Sequence, residues 1–227
     1  MCGRKTLTKD MQSIIEELAI EEWENPDNYL PSYNIAPTQT SPILIDNGKR
    51  SVRLMRWGLI PSWAKDDKFG VRMINARIET VTEKPSYRNL VSSNRCIVIA
   101  DGYYEWKSNG KNKTPYYLKN FDDKLLPIAG LYDVWKHPDG YLVPSYTIVT
   151  KDAQKELSRI HPRMPVILPH NHLDKWLQTE NHSVSIALEL AKNAEQTLEI
   201  FPVSNLVNSA KNNSPKCILP INKTFDL

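Results

Sequence analysis

Cys96-Ile97-Val98-Ile99-Ala100-Asp101-Gly102-Tyr103-Tyr104-Glu105-Trp106 is the stretch on which the fold turns. A short apolar run rich in β-branched residues, stopped by Asp-Gly, predicts a buried strand and a turn. Tyr103 to Trp106 continues as a second strand, which Asn109-Gly110 reverses because that pair tolerates positive φ. Pro115 to Leu118, Leu126 to Val134 and Tyr141 to Thr150 read as further strands, so the middle of the chain is a β-meander.

Working outward, Pro42 to Asp46 and Ser51 to Leu59 flank Asn47-Gly48 and predict another antiparallel pair. Met11, Ile14, Ile15 and Leu18 recur at helical spacing, with Thr8 or Asp10 placed to cap the start. Pro61 to Ile74 has neither period, carries Trp63, Lys65-Asp66-Asp67-Lys68 and Gly70, and reads as a long surface loop. Short helices are expected at Ser86 to Val91, from Asp152 to Ser158 behind an Asp cap, at Leu173 to Leu177 and at Val184 to Ala191. An extended segment is expected over Ile160 to Leu168 and a late strand over Leu198 to Val203. The fold class that results is α+β: a single domain over 1–227, built on a curved antiparallel sheet or open β-barrel-like core with peripheral helices.

The formal net charge of +3 and pI near 8.6 permit a polyanionic partner without requiring one. No apolar run approaches the roughly 20 residues of a membrane span, and no leader pattern opens the chain, so a soluble, cytoplasmic protein is expected. Cys2, Cys96 and Cys217 are too scattered for a disulfide framework or a metal knuckle. His170-Asn171-His172 has no carboxylate or cysteine cluster beside it and reads as a surface loop leading into a helix.

The chain opens Met1-Cys2-Gly3-Arg4. With Met1 removed, Cys2 carries a free α-amine two bonds from its thiol, with ordinary pKa values of about 7.7–8.0 and about 8.5. Such a 1,2-aminothiol condenses with an aldehyde to an imine and closes through sulfur to a thiazolidine. By itself the cysteine reads equally well as an inert residue. Other reactive side chains gather in three stretches: Asn75-Ala76-Arg77-Ile78-Glu79, Asp101 to Trp106, and His161-Pro162-Arg163-Met164-Pro165.

These stretches, with Tyr33-Asn34-Ile35-Ala36-Pro37-Thr38 and Arg56-Trp57-Gly58-Leu59-Ile60-Pro61-Ser62-Trp63-Ala64, resemble the motifs of the SOS-response-associated peptidase (SRAP) family. The resemblance runs from Cys2 to at least Leu168. It implies recognition of abasic sites in single-stranded DNA and covalent capture of the ring-opened sugar aldehyde by Cys2, protecting the lesion from strand cleavage. It also implies a damage-repair setting, association with the nucleoid when on DNA, and no cofactor or metal; a monomer is expected. By motif position, Glu105 is expected to move protons at the Cys2 amine and thiol, His161 to act at the sugar ring oxygen, and Asn75 to orient the N-terminus and the sugar hydroxyls. Arg4, Arg77 and Arg163 are expected to hold phosphates, and Trp63 to stack on a base. For at least one of the arginines, an ion pair with Glu79 or another acid is the competing expectation. Trp57, Trp106 and Trp135 are expected in the core.

Three other functions fit parts of the sequence. Met-Cys-Gly also opens N-terminal-nucleophile glutamine amidotransferases, whose further motifs are missing here. A peptidase, with lyase-type Schiff-base chemistry beside it, would use the same cysteine. A noncovalent lesion-binding module would need the arginines and not Cys2.

Overall fold

The structure, a computed structural model, describes residues 2–110 and 112–221. Met1, whose removal the aminothiol chemistry requires, lies outside the described residues.

In chain order the first strands are β1 (Lys5–Leu7), β2 (Glu22–Trp23), β3 (Ser32–Ile35), β4 (Thr40–Asp46), β5 (Arg50–Trp57) and β6 (Asn75–Arg77). There follow β7 (Arg95–Ala100), β8 (Gly102–Asn109), β9 (Asn112–Lys119), β10 (Leu126–Lys136), β11 (Leu142–Asp152), β12 (Arg163–Pro165) and β13 (Glu199–Pro202). The helices are α1 (Met11–Leu18), α2 (Leu90–Ser93), α3 (Leu173–Leu177) and α4 (Val184–Asn193).

Strands β5, β4, β7, β10 and β11 pair in that order by antiparallel ladders, and β11 returns to β5 in parallel at Ser145↔Arg56 and Tyr146↔Trp57. The curved sheet expected from the meander is thereby closed into a five-stranded barrel. Every residue of β7 is buried, because it faces the barrel interior on one side and is covered by α3 and β1 on the other. That is the physical meaning of its unbroken apolar run. Beside the barrel lies a wholly antiparallel sheet ordered β13-β9-β8-β1-β3. The chain passes directly from β7 into β8 at Asp101, so one continuous segment joins the two sheets.

The Asn47-Gly48 turn forms as expected, pairing Asp46 with Arg50 and placing Gly48 at φ 87°. Asp10 caps α1 by accepting from the Ser13 N–H. The helix expected over Asp152 to Ser158 does not form. Asp152 ends β11, the Ala153 N–H donates to Pro162 O, and only a 3-10 turn at Leu157–Arg159 remains. The helix expected at Ser86 to Val91 is shifted to Leu90–Ser93, after a run of turns that begins ahead of Pro85.

Residues 61–74 are less irregular than expected, holding a 3-10 turn at Asp67–Arg72 capped by Asp66. The loop is pinned to the barrel by a backbone crossing of Gly58 and Gly70. A Cβ on either would stand 2.5 Å from the other's carbonyl oxygen, and Gly58 sits at φ 123°. Trp135 Nε1 donates to Ala64 O at 2.8 Å, and Asp133 accepts from the Ser62 N–H at 2.7 Å.

Arg95 shows how the barrel carries the C-terminal helices. It is buried, donates to carbonyls of Val91, Trp176 and His182, and stacks over Trp176. The guanidinium thus satisfies carbonyls left open at the ends of α2 and α3.

Candidate active site

The site grows from the pairing of β1 with β8. Lys5 pairs with Tyr103 and Thr6 with Gly102, and the Tyr104 N–H donates to Arg4 O at 3.0 Å. Continuing that register toward the chain start carries Cys2 alongside Glu105 and Trp106. Cys2 is fully buried. From the barrel, Asn75 on β6 reaches across and donates from Nδ2 to the Cys2 carbonyl at 2.9 Å. Asn75 Oδ1 is buried and accepts from no side chain or backbone group among the described residues.

Glu105 is 4% exposed, and burial pushes its carboxyl from 4.5 to about 7. Burial also raises the Cys2 thiol well above its usual range, and the Glu105 carboxylate pushes it further the same way. The thiol therefore stays protonated until a base takes its proton. Lys5 is buried too, donates to Ile99 O at 2.9 Å, and is lowered by burial to about 7.

Arg4, Glu105, Trp106, Ser108, Lys113, His161 and Asn208 line one cleft of about 460 Å³. A larger hollow of about 800 Å³ beside the Asn47-Gly48 turn holds charges that satisfy one another, such as Arg50 with Asp174 at 2.5 Å, and none of the candidate catalytic or DNA-binding residues. In the smaller cleft, His161 Nδ1 lies 3.0 Å from the Arg163 backbone nitrogen and 3.1 Å from the Arg163 carbonyl oxygen, so Arg163 orients the ring through this nitrogen in either tautomer. Burial lowers the pKa of this imidazole, so the neutral form prevails at pH 7.

The arginines separate. Arg4 donates to Asn34 Oδ1 and Val207 O, each at 2.7 Å, and its guanidinium lies 5.9 Å from the centre of the Trp106 ring. Arg163 forks onto Glu79 at 2.8 and 2.9 Å and reaches Asp152 at 2.6 Å and Thr150 O at 2.8 Å, so the competing ion pair is the one formed. Arg77 is exposed at the end of β6 and forms no ion pair among the described residues. Trp63 stands outside the cleft on its pinned loop, 57% exposed, with its ring edge-on to Phe69 at 5.3 Å.

Trp106 corrects an expectation. It is only half-buried, lines the cleft under Arg4, and donates from Nε1 to Asn208 Oδ1 at 2.8 Å. Sequence reasoning also missed the C-terminal segment. Buried Asn34 accepts from Arg4 and donates to the carbonyls of Val207, Ser209 and Asn212, clamping that segment over Arg4. The only local signal was Asn34 itself, a polar residue amid the otherwise strand-like Tyr33 to Ile35.

Fold and site together define a class: a β-barrel protein whose chain start, with a buried Cys2, pairs into an adjoining antiparallel sheet beside a cleft lined by an acid and a histidine. Within that class, the chain belongs to the SOS response associated peptidase (SRAP) family, whose model matches residues 1–210. It is 43% identical over 222 residues to the abasic site processing protein YoaM of Bacillus subtilis, covering 96% of this chain and 97% of that protein. It is 36% identical over 233 residues to the abasic site processing protein HMCES of Gallus gallus, covering 88% and 69% respectively. A crystal structure of a protein from Bacteroides thetaiotaomicron superposes with a TM-score of 0.85 at 25% identity, covering 97% of this chain and all of that one.

Among the described residues, no helix is long and apolar enough to cross a membrane. Among the described residues, no group of three or more His, Cys, Asp and Glu side chains is placed to hold a metal ion.

Proposed function

We propose that this protein captures abasic sites in single-stranded DNA as a thiazolidine on Cys2 once Met1 is gone. Its relatives YoaM and HMCES are abasic site processing proteins, which supplies the lesion. The observation that carries the chemistry is the placement of buried Cys2, its carbonyl held by Asn75, beside a Glu105 carboxyl raised to about 7.

The steps balance as follows. His161 takes the C1′ hydroxyl proton and delivers one proton to the sugar ring oxygen, so the imidazole ends neutral and the hemiacetal opens to the aldehyde. The Cys2 amine adds to C1′, and loss of one water gives the imine. The thiol sulfur then bonds to C1′, its proton passing through Glu105 to the former imine nitrogen. Glu105 suits this relay because a carboxyl titrating near 7 both takes and returns a proton at neutral pH. Asn75 Oδ1 is an acceptor for the Cys2 amine or a sugar hydroxyl. Arg4 and Arg77 supply phosphate contacts, and Trp63 with Phe69 offers an apolar edge for a base.

Intact mass spectrometry of the protein mixed with a single-stranded oligonucleotide bearing one abasic site tests the reading. The expected product has the summed mass less one water, maps to Cys2, and is absent with undamaged DNA. No adduct from protein confirmed to lack Met1 sinks the proposal.

A further inference from the structure

Building on the abasic-DNA reading, we propose that the β8–β9 hairpin forms a wall of the strand-binding groove, with Lys113 and Ser108 taking a phosphodiester beside the captured sugar. The need for such a site comes from the charge inventory. Arg163 is committed to Glu79 and Asp152, so it has little left for a phosphate. The cleft that holds Glu105 and His161 must draw positive charge from elsewhere, and its remaining cations are Arg4 and Lys113.

The register supplies the path. Trp106 pairs with Pro115 and Ser108 with Lys113, which puts these four residues on one face of the hairpin. Arg4 lies over Trp106, so Arg4, Trp106, Ser108 and Lys113 line one cleft wall that runs toward the hairpin tip. Arg4 is held by two neutral oxygens and keeps its full charge. Lys113 is exposed and forms no ion pair among the described residues. Between Trp106 and Asn120 the sequence holds Lys107, Lys111, Lys113 and Lys119 and no acidic residue. Of the three described lysines, Lys119 alone is spent, on Asp123 and Glu199. An unneutralised lysine beside a hydroxyl, at the mouth of a cleft floored by an indole, suits a phosphate whose neighbouring base or sugar lies on the ring.

The test is noncovalent affinity of the Cys2→Ala protein for an abasic single-stranded oligonucleotide across a salt series, with and without Lys113→Ala. One phosphate contact on a single strand contributes about 0.7 to the slope of log K against log salt, so Lys113→Ala is expected to flatten the slope by about that much. Lys113→Arg is expected to restore it. An oligonucleotide with a methylphosphonate beside the lesion should flatten the slope for Cys2→Ala and produce no further change with Lys113→Ala. An unchanged slope in Lys113→Ala overturns the hairpin site and leaves the abasic reading standing. Failure of the Cys2→Ala protein to bind the abasic strand at all overturns both.

Discussion

Asn75 donates its amide hydrogen to the Cys2 carbonyl at 2.9 Å across 73 positions of sequence, and so fixes the peptide that follows Cys2. Asn75→Ala leaves that buried carbonyl without its donor, at a cost of about 1–3 kcal/mol. In the proposed mechanism the bond positions the reacting group, so the rate of adduct formation is expected to drop more than stability does, on the order of 10- to 100-fold. Single-turnover crosslinking beside a thermal melt separates the two. A rate unchanged within twofold would remove Asn75 from the site.

Glu105 ties activity to pH. In the proposed relay its ionised form accepts the thiol proton, so the adduct rate is expected to rise with pH through about 7 and then level. Glu105→Gln should abolish that inflection, slow capture by about 10²- to 10⁴-fold, and slow reversal too. Equal reversal rates in both proteins would take Glu105 out of the return step.

The same carboxyl has a cost in stability, and its sign is fixed by linkage. Between the unfolded value near 4.5 and the folded value of about 7, the native state holds more protons than the unfolded chain. Stability from this group therefore falls as pH rises through that window, by on the order of 3 kcal/mol once Glu105 is ionised. Glu105→Gln is expected to melt higher than the parent at pH 8 and close to it at pH 4.5. The reverse order in a pair of melts would show that the carboxylate is stabilised where it lies.

Cys2→Ala is expected to lose the adduct and keep noncovalent binding. Cys2→Ser keeps the amine and a weaker second nucleophile, so it should leave an adduct that borohydride traps as a secondary amine. Trapping that fails for Cys2→Ser on a binding-competent protein would argue that sulfur, and not the amine, attacks first.

Arg163 and Arg77 are expected to part company under substitution. Arg163→Ala breaks the fork to Glu79 and should cost about 1 kcal/mol, or roughly 2–4 °C in melting temperature, with the salt slope of DNA binding unchanged. Arg77→Ala should leave the melt alone and flatten that slope by about 0.7. Slopes that move the other way round would return the phosphate to Arg163.

Local chemistry was readable in the sequence; partners distant in the chain were not. Asn47-Gly48, the Asp10 cap and the apolar run of β7 each announce themselves within a few residues, and each formed. Strands β1 and β3 are only three and four residues long, and they exist because they pair with each other and with β8. No window around Lys5 contains that information. The helix expected after Asp152 failed for the same reason: its capping aspartate was already the end of β11 and a partner for Arg163. At the site, motif resemblance picked out Cys2, Glu105 and His161. It gave no hint that Trp106 would line the cleft, or that Val207 and Asn208 would close over Arg4 and Trp106.

The position of β1 inside its sheet also sets an order of events during synthesis. Its antiparallel neighbours are β3 and β8, and Lys5 meets Tyr103 only after about a hundred further residues have been made. At about 5–20 residues per second, the first residues wait roughly 5–20 s before β8 exists to receive them. The clamp from Asn34 to Val207, Ser209 and Asn212 comes later still. The segment holding Cys2 thus stays unpaired for nearly half of the synthesis of these 227 residues, and folding buries it only after that interval has closed.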